Sequence, residues 1–158
     1  MSKEPKVSDT VGHSEGAKMK QDVFLPDDYR PAEDEPFMND RQLEYFRRKL
    51  NDWKHELQAG SRDTIEGLQD GTRNIPDVAD RASEETDRAL ELRTRDRQRK
   101  LVAKIDSALR RIDEGEYGYC EVTGEPISLK RLDARPIATM SLEAQERHER
   151  REKVHRDD

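Results

Sequence analysis

The sequence predicts a mainly α protein: a long antiparallel coiled-coil hairpin on a small globular domain with a degenerate zinc-ribbon-like motif, followed by a C-terminal helix. Three observations predict it. Only 31% of the 158 residues are hydrophobic and 42% are charged, too polar for one large core but suited to long helices with much exposed face. Two stretches with apolar residues at helical spacing flank Asn74-Ile75-Pro76-Asp77-Val78-Ala79-Asp80-Arg81-Ala82. Further on, Cys120-x-x-Thr123-Gly124 and Ser141-x-x-Ala144 have the spacing of a zinc ribbon with a single sulfur.

These numbers also bound the function. The length suits one domain with an appended arm. A net charge of −6 argues against a general nucleic-acid binder, which carries a basic surplus. The lone Cys120 rules out an intrachain disulfide and fits a reducing compartment. No apolar run approaches the roughly 20 residues that span a bilayer, and the N-terminus lacks the apolar stretch of a secretory signal. A cytoplasmic, monomeric protein is expected.

Residues 1–22 are almost devoid of apolar side chains and read as a disordered tail. Residues 23–38 contain Val23, Phe24, Leu25 and Tyr29 among prolines, a segment too short to fold alone, which should pack on the globular domain. The hairpin is assigned to 39–114. Asn39 is the expected N-cap, with Gln42 placed to reach back in a capping box. Leu43, Phe46, Leu50, Trp53 and Leu57 step by 3, 4, 3 and 4, a two-helix seam. Beyond them Gly60 and Gly67 weaken the pattern, so the distal arm should be the less stable half. The first helix should end near Asp70-Gly71, the tip occupying 70–82. The second should run from about Asp77 to Glu114-Gly115, with Leu90, Thr94, Leu101, Ile105, Ala108 and Ile112 as the facing seam. Residues 115–140 form the small globular domain, with a hairpin expected over Tyr117–Ile127 and a short helical turn around Leu129 and Leu132. Ser141 caps a final, highly charged helix in 141–158.

The tip carries the first chemical signal. Asp77 and Asp80 suit a helix start, yet between Asp77 and Arg88 five carboxylates meet only two arginines. Between Glu91 and Lys100 the sign reverses. Arg93, Arg97, Lys100 and Lys104 step by 4, 3 and 4 along one face. An acidic tip beyond a basic stripe suits a partner with a negative rim and a cationic or metal-containing interior. At Cys120, the replacement of thiolates by Thr123, Ser141 and Ala144 leaves too few ligands for structural zinc, His148 included. No catalytic grouping and no phosphate-cradling loop is present, so no enzymatic activity is expected.

In combination, Met38-Asn39, Phe46-Arg47-Arg48, Asp77-x-x-Asp80-x-Ala82, Glu91-Leu92-Arg93-x-Arg95-Asp96-Arg97, Gly118-Tyr119-Cys120 and Arg131-Leu132-x-Ala134-Arg135-Pro136 resemble the DksA family of bacterial transcription factors, from Phe37 to Arg151. The resemblance implies a regulator that binds RNA polymerase directly, without sequence-specific DNA contact, and inserts its arm through the secondary channel. Asp77, Asp80 and Ala82 would lie near the catalytic centre, and Arg97, with Arg93 beside it, at the channel rim. Leu101, Lys104 and Arg135 match positions of a site for the alarmone ppGpp, formed jointly with the polymerase, and Gln145 falls on a further position of that site. With ppGpp, such a regulator destabilises open complexes, repressing ribosomal RNA promoters and activating some amino-acid biosynthesis promoters. Two departures are present. The family's zinc cysteines fall on Cys120, Thr123, Ser141 and Ala144, which implies a zinc-independent member with no tightly bound cofactor. Gln145 stands where the family often has a lysine. Alternatives on the same residues are a coiled-coil adaptor or chaperone-like arm, and a transcript-cleavage-type polymerase factor.

Overall fold

A computed structural model describes residues 23–70 and 78–156. The expected tail at 1–22, Asp77 and the turn at 71–77 lie outside the described residues. Four helices follow in order: α1 Asp40–Asp70, α2 Val78–Glu114, α3 Leu129–Ala134 and α4 Leu142–Arg156. The first two pack as an antiparallel pair, and the remainder folds around their base. None of these helices is long and apolar enough to cross a membrane.

The start of α1 is built by one side chain. Asn39 Oδ1 accepts the Gln42 N–H at 2.9 Å, as an N-cap should. Gln42 Oε1, however, accepts from the backbone N–H of Met38 at 2.8 Å instead of from Asn39. The Asn39 N–H already donates to the Pro36 carbonyl, and Met38 adopts the left-handed conformation, with φ 53°. The Gln42 amide then donates to the Ala32 carbonyl at 3.2 Å and to Glu35 at 3.3 Å. Glu35 in turn accepts the Tyr29 hydroxyl at 2.6 Å. A fully buried glutamine thereby ties the segment before α1 to its first turn.

At the base of the arm, Phe46 and Leu50 of α1 meet Ile105, Ala108 and Ile112 of α2. The same cluster continues into Tyr117, Ile127, Leu132 and Ala144, so arm and base share one core. Arg47–Asp113 at 2.7 Å and Lys54–Asp106 at 2.6 Å bridge the two helices. The two pairs are seven residues apart on each helix, the repeat of a two-stranded seam. Asp133 of α3 fastens the base to α1: it accepts the Tyr45 hydroxyl at 2.7 Å and the Lys49 ammonium at 2.5 Å.

The distal seam corrects the expectation. Leu90 is 53% exposed, and Thr94 is exposed with its hydroxyl on the Leu90 carbonyl. Counting back by sevens from Ile112 and Ile105 reaches Gln98, Glu91 and Glu84, and these, with Arg95, are half-buried. Once the base sets the register, an apolar residue one place away cannot turn inward without unwinding the helix. Among the described residues, Glu91 Oε2 and Arg95 Nε and Nη2 are buried without a hydrogen-bond partner, a cost that a leucine pair would avoid.

The expected hairpin is reduced to a single antiparallel bridge, Tyr119 to Pro126. Between them the chain curls tightly, with Cys120 N–H on the Glu125 carbonyl and Gly124 N–H on the Cys120 carbonyl, both 2.8 Å. Pro126 has no N–H with which to extend a ladder. Gly118, at φ 91°, lies against the Met38 side chain, and a Cβ there would meet Met38 at 3.0 Å. Ser128 caps α3 through the Arg131 N–H, and Ser141 caps α4 through the Ala144 N–H, both at 3.3 Å.

A Cβ at Gly60 would meet no atom within 4 Å, so Gly60→Ala is expected to stabilise the arm by about 1 kcal/mol, measured by denaturant titration followed by circular dichroism. Acid should act on the base. Hydrogen bonding from Lys49 and Tyr45 lowers the Asp133 pKa, so its contribution is complete above the ordinary aspartate value near about 4 and is lost as pH falls through the depressed value. The melting temperature should therefore drop in that acid window, and Asp133→Asn should lower it at neutral pH while flattening the acid loss. An unchanged acid profile in the variant contradicts this.

Candidate functional site

Three regions hold the sequence-derived candidates. On the arm, Asp80 and Ala82 are exposed in the first turns of α2. Glu84 is paired loosely with Arg88 at 3.8 Å. Further along, Arg93, Arg97 and Lys104 are exposed, and among the described residues no carboxylate pairs with them, whereas Lys100 is held by Asp96 at 2.9 Å. Leu90 and Leu92, 53% and 56% exposed, lie beside this stripe. Sequence reasoning assigned Leu90 to the seam. Its exposure instead puts apolar surface next to cations, a composition that suits an interaction face.

The second region is the Cys120 turn. Thr123 and Ser141 come close to the sulfur, and Ala144 is buried in the same core. Burial alone pushes the Cys120 thiol up. Hydrogen bonds from the Thr123 hydroxyl and from the backbone N–H groups of Ser141, Thr123 and Val122 outweigh it and bring the pKa down to about 6. The sulfur is thus surrounded by donors, as an anion in a backbone nest is. A structural zinc needs four good ligands. Here the set is one thiolate, a threonine hydroxyl, a serine hydroxyl that caps α4, and an alanine methyl. These residues do not fit zinc. His148 is exposed and faces Glu152 at 3.8 Å, and among the described residues no cluster of three metal-ligating side chains occurs.

The third region is a cleft of about 250 Å³ between α2, α3 and the start of α4. Lys104, Arg135 and Gln145 all line it. Leu101 does not; it packs half-buried against the core at the arm's base. Two further cations line the cleft that sequence reasoning missed, Arg111 and Arg131, and among the described residues no carboxylate does. Arg111 is already committed, to the Tyr119 carbonyl at 2.8 Å and to Glu121 at 3.4 Å. Arg131 has only neutral acceptors, the Met140 carbonyl at 2.9 Å and Gln145 Oε1. A signal for Arg131 existed in the sequence: it opens the same Arg131-Leu132-x-Ala134-Arg135-Pro136 motif that carries Arg135. The buried Tyr117 hydroxyl, its pKa raised by burial, donates to the Pro136 carbonyl at 2.7 Å and shapes the cleft wall.

A two-helix arm with charged faces, seated on a base that carries a zinc-finger-like turn and a cationic cleft, defines the class of the protein: a coiled-coil arm on a small zinc-finger-like base. Residues 42–112 match the family model described as DnaK suppressor protein DksA, N-terminal domain, and residues 115–150 match the prokaryotic dksA/traR C4-type zinc finger. The chain belongs to the DksA family. It is 73% identical over 131 residues to the RNA polymerase-binding transcription factor DksA of Caulobacter vibrioides, covering 83% of this chain and 92% of that protein. It is 41% identical over 125 residues to the protein of the same name from Escherichia coli K12, covering 79% and 83%. Among solved structures, transcription factor DksA2 from Pseudomonas aeruginosa superposes with a TM-score of 0.69 at 45% identity, covering 74% of this chain and 90% of that one.

The C4 designation of the matched finger and the donor set around Cys120 point in opposite directions. The purified chain is expected to carry no stoichiometric zinc by elemental analysis, and its melting temperature should not move with chelator. One zinc per chain would contradict the reading of Cys120 as a hydrogen-bonded thiolate.

Proposed function

We propose that this chain is a transcription regulator that binds RNA polymerase directly, passes the arm through the secondary channel and modulates open-complex stability together with ppGpp. In this reading it represses ribosomal RNA promoters and activates some amino-acid biosynthesis promoters. It acts in the cytoplasm as a monomer, with no catalytic activity, no structural zinc and no sequence-specific DNA contact. The observation that carries the proposal is family membership across both arm and base, including a relative at 73% identity named for polymerase binding.

Physical arguments support the details. Asp80 is exposed in the first turn of α2, and with Asp77 it would bring negative charge to a site that holds a metal ion or cations. Arg93 and Arg97, free of described counter-ions, suit a negatively charged rim, where steering raises the association rate. Lys104 and Arg135, converging on one cleft, suit the phosphates of ppGpp through charge-assisted hydrogen bonds.

Promoter-specific transcription in vitro with purified polymerase tests the proposal. Asp80→Asn should fold and bind polymerase like the unaltered chain while losing its effect on open-complex lifetime. Full regulation by that variant reduces Asp80 to a helix-start residue. Failure of the chain to retain core polymerase in a pull-down favours an adaptor or chaperone-like arm, and accelerated RNA cleavage in stalled complexes favours a transcript-cleavage factor.

A further inference from the structure

Gln145 is a poor phosphate ligand by its own chemistry, since a neutral amide forms weaker contacts than a cation. It is also already occupied. Its carbonyl oxygen accepts from Arg131 Nη2, and its amide donates to Glu149 Oε1 at 2.9 Å. Arg131 is pinned at a second edge by the Met140 carbonyl on Nε, at 2.9 Å. Both acceptors are neutral, so the half-buried guanidinium is oriented without being neutralised.

The surroundings sharpen this. Arg135 closes α3 with its N–H on the Arg131 carbonyl at 2.7 Å, so the backbone holds the two arginines at one end of the cleft. Lys104 lines the same cleft from α2, and among the described residues no carboxylate does. Arg111 is drawn to Glu121 and the Tyr119 carbonyl and is the least available of the four cations. Arg131 is half-buried and Lys104 and Arg135 are exposed, so like charges are gathered around one cleft, where an anion between them is favoured.

We infer that Arg131 contacts the phosphates of the ligand in this cleft and that Gln145 is the residue that positions Arg131, not a ligand itself. The charge absent at position 145 is supplied from α3, with the glutamine acting as a buttress. This inference rests on the proposed ppGpp site and concerns how this chain forms it.

The test is a double-mutant cycle read in the complete system of chain, polymerase and promoter. The probe is ppGpp, and the readout is the concentration that gives half of each variant's own shift in open-complex lifetime from its ppGpp-free baseline. Loss of a charge-assisted contact predicts that Arg131→Met raises that concentration roughly ten- to a hundredfold. Gln145→Met, which removes the carbonyl acceptor at similar volume, should raise it severalfold. In the Arg131→Met background, Gln145→Met should add nothing, because its effect passes through the missing guanidinium. Arg131→Lys, which keeps the charge and guards against misfolding, should fall between Met and Arg. Additive losses show that Gln145 meets the phosphate itself and overturn the inference while leaving the ppGpp site in place. A response like that of the unaltered chain from Arg131→Lys and Arg131→Met, or from Gln145→Met alone, overturns it as well. An unaltered chain that ignores ppGpp on polymerase overturns both the site and the inference.

Discussion

The packing of Phe46 and Leu50 against Ile105 and Ile112 is the contact on which everything else depends. Each of these side chains is buried almost completely, and such burial contributes roughly 1.5–3 kcal/mol per residue. The pair sets the register of α1 against α2, which the Arg47–Asp113 and Lys54–Asp106 bridges then edge. Register decides which face of α2 is exposed, and so where Arg93, Arg97 and Lys104 point. Phe46 also meets Tyr117, ring centroids 5.5 Å apart, so the shared core transmits the arm's direction to the base.

Packing and hydrogen bonds run through that base. Cys120 and Ala144 contribute apolar volume to the shared core, Ser141 caps the helix that follows, and Thr123 donates to the sulfur. Each of the three departures from a thiolate thus has a local task that a metal-bound cysteine could not perform in the same way. Asp133, Tyr45 and Lys49 add a polar clasp between α3 and α1. Such a clasp is partly exposed, and its worth lies more in orientation than in stability. On the opposite side, Gln42 fastens the preceding segment with three hydrogen bonds from one buried amide group.

Along the arm the two halves follow different rules. Near the base the inward positions of α2 are Ile105 and Ile112; farther out they are Gln98 and Glu91, with Arg95 beside them. Polar inward residues sacrifice stability and specify register, while the apolar residues that sequence alone places in the seam, Leu90 among them, are presented outward. The distal arm is therefore weakly held inside and chemically varied outside, a combination suited to a segment whose final packing partner is another molecule.

Much of this architecture was legible in the residues. The bounds of the long helices, the caps Asn39 and Ser141, the proximal seam and the short helix before Pro136 all follow from local periodicity and capping chemistry, which act within a few residues of sequence. The distal seam was not legible, because Leu90 and Thr94 satisfied the period locally while the register was decided some fifteen residues away at the base. The cleft divides the same way. Lys104, Arg135 and Gln145 could be named from motif alone, but their convergence, the absence of Leu101 from the lining and the pinning of Arg131 depend on α2, α3 and α4 meeting. Sequence by itself determined the secondary structure and the inventory of charges, since these are short-range properties. Which charges are neutralised and which are held ready was decided only by tertiary structure, because counter-ions and acceptors come from elements distant in the chain.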